Sequence, residues 1–196
     1  MSTVTSSGTD VSISRRSGNA MLLGVVGAVA GGAMFIAALC GAYVSVRTGF
    51  GKGFVPTTMK FNNYAGVMTL VSGLIASFAA EWALVSLKVG KRRWVSGGYG
   101  LAALMSVAAM NLIWLIGSRL GMAVNESVYA TLVYALLAAA LALFAVGVVA
   151  CIVSLMLSLG GHASTQNPRP ARAANWLVHL ATLGWLAVFA LIFLYK

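Results

Sequence analysis

Acidic side chains are almost missing: Asp10, Glu81 and Glu126 are the only carboxylates in 196 residues, against thirteen Lys and Arg. Histidine is nearly as scarce, with His162 and His179, and the only thiols are Cys40 and Cys151. Redox metals, hydrolytic dyads and proton relays need such groups in clusters at ligand or proton-transfer spacing. Here they are scattered along the sequence, so no catalytic residue, cofactor ligand or metal ligand is assigned to this chain. No haem, copper or zinc is expected on it in isolation. Both cysteines fall inside apolar segments, which argues against a disulfide framework and says nothing about the redox compartment.

What remains is apolar. Hydrophobic residues make up 60% of the chain and the mean hydropathy is +0.93, which leaves too few polar groups to cover a water-soluble globule. Lipid must do the covering, and the chain reads as an integral membrane protein. The formal charge of +10 does not point to nucleic acid, because the Lys and Arg sit in short clusters at the ends of apolar runs, where membrane anchors belong. The stretch from Ser2 to Gly18 is polar and Ser/Thr-rich, and the first apolar run far exceeds a signal-peptide core. That run is expected to stay in the protein.

Apolar stretches cover about 20–46, 64–87, 94–116, 129–159 and 176–195. Each is near or above the roughly 20 residues that span a bilayer as helix. The runs are continuously apolar rather than alternating, and in lipid a helix satisfies its own backbone locally, so a barrel is excluded. The expectation is an all-α, five-helix membrane domain over 20–196, preceded by a polar, disordered tail over 1–19. The fourth run is longer than a span needs and should tilt or protrude.

A cytoplasmic N-terminus places Arg15, Arg16, Lys88, Lys91, Arg92, Arg93, Arg169 and Arg172 inside, leaving Arg47, Lys52, Lys60, Arg119 and Lys196 outside. The majority inside, and the short Lys88 to Arg93 loop above all, favour that orientation, with an outer-facing C-terminus. The stretch from Gly160 to Ala174, rich in Gly, Pro and polar residues, reads as an inner linker.

Polar residues within spans are costly and therefore informative. Glu81 is the one acid deep in a run, roughly 9 Å from the inner end of helix two. It is either a proton-handling carboxyl or, with no second carboxyl to pass a proton to, a protonated or hydrogen-bonded packing group, and the second reading leads. His179, near the inner start of helix five, has no spaced partner ligand and is read as an interhelical hydrogen-bond donor. Trp185 and Phe189 share a helix face offset from His179 and are expected toward lipid or a partner. In helix one, Gly27 and Gly31 have the small-xxx-small spacing that lets helix backbones approach closely. The aromatics Trp94, Trp176, Tyr64, Tyr129 and Tyr195 fall at span ends as an interface belt.

Several strings resemble cytochrome c oxidase subunit III in its short, five-helix bacterial form, with an actinobacterial flavour. In helix one they are Met34, Phe35, Ala37, Leu39, Tyr43, Ser45 and Arg47. In helix two they are Asn62, Tyr64, Ala76, Ser77 and Phe78, leading into Gly90, Arg92, Arg93 and Trp94. In helix five, His179, Trp185 and Phe189 match positions of the family's Trp-His-x-x-Asp-x-x-Trp-x-x-x-Phe string. The likeness extends from Met21 to Tyr195.

The departures mark a divergent member. Gly32 and Ala33 stand where the family carries a membrane carboxylate, Ala140 and Leu143 where it has His-Gly-x-His, and Trp114 in place of a Glu. Thr182 replaces the helix-five Asp and Val178 the Trp that opens that string. The resemblance implies an accessory, non-catalytic subunit of a haem-copper terminal oxidase in the aerobic respiratory chain. It implies a bacterial inner-membrane location, packing on catalytic subunit I and other respiratory subunits, bound lipid, and haem and copper held only by the partner. A subunit III-like protein beside nitric oxide reductase is the alternative within the fold. A small transporter or channel coupled through Glu81 is the alternative outside it, against which stands the lack of broken helices or an internal repeat.

Overall fold

A computed structural model describes residues 8–50, 54, 62–124, 126–161 and 168–194, with side chains from Leu23 onward. It consists of α1 (Gly8–Phe50), α2 (Asn63–Lys88), α3 (Arg92–Ser118), α4 (Val128–Leu159) and α5 (Arg169–Phe189), the last running on as a π turn over Ala190–Leu194. There is no strand among the described residues. All five helices are long and apolar enough to cross a membrane, so the chain is an all-α, multi-pass membrane protein.

The helix ends have local causes. Asn62 caps α2 by accepting from the Ala65 amide at 3.3 Å, and Ser127 caps α4 by accepting from the Ala130 amide at 3.1 Å. The basic hairpin turns through Gly90, whose φ of 78° suits a residue without Cβ, and α3 starts directly after it. Two boundaries differ from expectation. The α1 backbone is already helical at Gly8, upstream of the apolar run, whereas residues 1–7 of the expected tail lie outside the described residues. The fifth helix begins at Arg169 rather than Trp176, because Pro170 falls in its first turn, where a missing N–H leaves no intrahelical bond unmade. The linker is shortened accordingly.

Helices α2, α3, α4 and α5 contact one another in sequence, and α2 closes the ring on α5, while α1 lies outside against α4 and α5. Near the basic hairpin the core is built from very small side chains: Ala76, Ala79, Ala80 and Ala83 of α2 pack with Val95, Tyr99 and Ala102 of α3 and with Cys151, Ala174 and Val178. Toward the other end it is bulkier, with Tyr43, Ile113, Tyr129, Phe144 and Trp185. There Phe54 makes edge contacts with both Tyr43 and Tyr129, whose own rings meet at a tilt of 54°, and the three hold the end of α1 to α4. Tyr129 is 2% exposed and so belongs to this core instead of the interface belt. Trp94, Trp176 and Tyr64 are exposed as a belt requires, and Tyr195 lies outside the described residues.

Candidate functional site

The contact between α2 and α5 carries most of the polar chemistry in the spans. The two helices run antiparallel, so rising positions on α2 meet falling positions on α5. At one end the Trp185 indole Nε1 donates to the Gly66 carbonyl at 3.3 Å. Further along, Ser77 Oγ and Thr182 Oγ1 lie 2.9 Å apart, and Thr182 is also within 3.0 Å of the carbonyls of Gly73 and Val178. A Cβ on Gly73 would come within 3.3 Å of the Thr182 side chain, so glycine permits this approach. One helical turn nearer the basic hairpin, His179 Nε2 and Glu81 Oε1 lie 2.9 Å apart.

That pair corrects the expectation of isolated groups. Glu81 and His179 are far apart in sequence, yet one closes on the other across the helix contact. It also meets the expectation that His179 hydrogen-bonds another helix. The spacing Gly73, Ser77, Glu81 puts one residue per turn on a single α2 face, and His179 and Thr182 share a face of α5. The signal was present in those spacings, but it points nowhere until α5 is known to pack on α2.

The side chains of His179 and Glu81 are 35% and 50% exposed. They border an outward-facing groove of about 460 Å³ whose remaining walls include Leu74, Phe78 and Leu183. Chemically the pair can share a proton between imidazole and carboxylate. No group of three or more His, Cys, Asp and Glu that could hold a metal exists among the described residues.

The other expected site residues fall elsewhere. Trp185 is fully buried within the chain, which overturns its expected position toward lipid or a partner: its ring lies in the α2–α5 contact. Phe189 is partly buried and stacks on Phe193 with centroids 4.9 Å apart. Among the described residues Gly27 and Gly31 make no close helix contact, since a Cβ on either would meet nothing within 4 Å. The close approach of α1 falls at Gly32, where a Cβ would lie 2.8 Å from Leu180 Cδ2. The two cysteines are free, and Glu126 caps a loop by accepting from the Ala123 amide at 2.9 Å.

Compared with known proteins, the chain matches no family model and no curated protein. The class defined by the fold is therefore that of a multi-pass, all-helical membrane protein with a polar seam between α2 and α5.

Proposed function

We propose that this chain is a subunit III-like, non-catalytic accessory subunit of a haem-copper terminal oxidase. In this reading it sits in a bacterial plasma membrane with its N-terminus cytoplasmic and its C-terminus outside. It packs on the catalytic subunit, holds lipid and stabilises the assembly, while haem and copper belong to the partner. The observation that carries the reading is where the family-like strings fall. Ala76 and Ser77 of α2, and His179 and Trp185 of α5, join those two helices to each other, and Tyr43 ties α1 to the bundle. These resembling residues thus do scaffold work, while others, Met34, Phe35 and Phe78 among them, face outward, and both placements suit an accessory subunit.

A transporter or channel coupled through Glu81 gains a proton partner from His179. The pair nevertheless opens to a groove on the outer surface of the bundle, and no third His, Cys, Asp or Glu clusters with it among the described residues, so the accessory role fits better. The test is gentle purification of the tagged chain from its native membrane, with a haem spectrum and identification of co-purifying subunits. A haem-copper catalytic subunit in stoichiometric amount supports the proposal. A nitric oxide reductase catalytic subunit supports the alternative within the same fold. Purification without any haem protein refutes both.

A further inference from the structure

Glu81 lies about 10 Å along α2 from Lys88, at about 1.5 Å per residue. That depth matters because the side chain of Glu is too short to carry its polar end back to the interface as Lys or Arg would. Glu81 Oε1 is engaged by His179 Nε2, whereas Oε2 and His179 Nδ1 have no hydrogen-bond partner among the described residues. The neighbouring hydroxyls do not help: Ser77 and Thr182 bond each other, and Thr182 also reaches the Gly73 and Val178 carbonyls. Around this open polar valence the surface is apolar, with Phe78 74%, Leu183 63% and Leu74 45% exposed. Hydrocarbon would leave the free oxygen unsatisfied, which is costly.

We propose that the groove between α2 and α5 is a docking site for a transmembrane helix of a partner protein, and that this helix presents a hydrogen-bond-donating side chain to the free oxygen of Glu81. The occupant follows from complementarity. The groove offers a carboxyl oxygen between apolar walls, and a helix with apolar flanks and one donor side chain matches it. A lipid tail supplies no donor, and headgroup donors sit nearer the level of Lys88. The proposal rests on the accessory-subunit reading only in requiring a membrane partner, and it adds where that partner sits.

The test is photocrosslinking in native membranes, with p-benzoylphenylalanine placed at Phe78 or at Leu183 in the full-length chain, followed by mass spectrometry of the adducts. The expected result is an adduct to a transmembrane segment of another protein that carries a donor side chain at the crosslinked depth. Its yield should fall at least five-fold with Glu81→Leu and be largely kept with Glu81→Gln, which retains an acceptor oxygen. Adducts to phospholipid alone, adducts to a second copy of this chain, or a yield indifferent to Glu81→Leu would each overturn the proposal. If the adduct lies in a protein unrelated to any haem-copper catalytic subunit, the docking site stands and the proposed function falls. If an oxidase co-purifies and the groove yields only lipid adducts, the reverse holds.

Discussion

The indole of Trp185 donates a hydrogen bond to the backbone carbonyl of Gly66 at 3.3 Å, so a side chain of α5 reaches into the backbone of α2. The approach depends on Gly66 lacking a side chain, since a Cβ there would lie 2.8 Å from the Phe193 ring. Polar closure and apolar filling therefore coincide at one point. The two contributions separate by mutation. Trp185→Phe removes the hydrogen bond and should cost about 0.6 kcal/mol, the average found for interhelical hydrogen bonds in a membrane bundle. Trp185→Ala also empties a fully buried site and should cost about 3–5 kcal/mol. Reversible unfolding of the purified chain in mixed micelles checks both. Equal losses for the two variants would mean that the indole N–H, rather than its volume, holds the contact.

Gly98 brings α3 into close contact with α2. An added Cβ would meet the Ala83 Cβ at 2.8 Å and the Ala79 carbonyl oxygen at 2.9 Å, and neither is the movable end of a long side chain. Gly98→Ala should therefore push the helices apart and cost about 1–3 kcal/mol, as overpacking does. Gly97→Ala is the internal control, because a Cβ there meets nothing within 4 Å. Thermal unfolding followed by monodispersity in detergent should separate the two neighbours clearly, and identical midpoints would refute the close packing.

The His179–Glu81 contact is partly exposed, so its effect on stability is discounted accordingly. His179→Ala should lower stability by about 0.6 kcal/mol and leave turnover of an intact complex nearly unchanged. Loss of most activity in a fully assembled His179→Ala complex would assign chemistry to this residue. A matching double variant, His179→Ala with Glu81→Leu, should cost less than the sum of the single changes, since each single change removes the same bond.

Much of the architecture was legible because lipid imposes simple rules. Five runs of sufficient length become five helices, and the short basic loop from Lys88 to Arg93 becomes a hairpin. What the sequence could not supply was the neighbour list. With α2 closing on α5, His179 and Glu81 become a pair and Trp185 turns inward, although its spacing to Phe189 alone was compatible with a lipid-facing stripe. Gly27 and Gly31 mislead in a similar way. Their spacing licenses close packing without saying against what, and among the described residues Gly32 takes the contact instead. The start of α5 was missed because a proline-containing, polar segment reads as linker, although proline is well tolerated in a first helical turn.

Gly27 and Gly31 give the last prediction. The side of α1 that meets α4 and α5 is marked by Gly32, Ile36 and Tyr43, whereas Gly27 and Gly31 are exposed. A Cβ at either position meets nothing within 4 Å among the described residues, so Gly27→Leu and Gly31→Leu should leave the stability of the isolated protein within about 0.5 kcal/mol of the original. An accessory subunit that uses this small-residue face to approach a partner helix would behave differently in the assembly, because a leucine forces the backbones apart. The expected outcome is a normal folded chain that is retained about ten-fold less in the co-purified complex, a change equivalent to about 1.4 kcal/mol of association free energy. Retention of both variants at unchanged stoichiometry would show that this face of α1 meets lipid, and would leave the groove at Glu81 as the place to look for the partner.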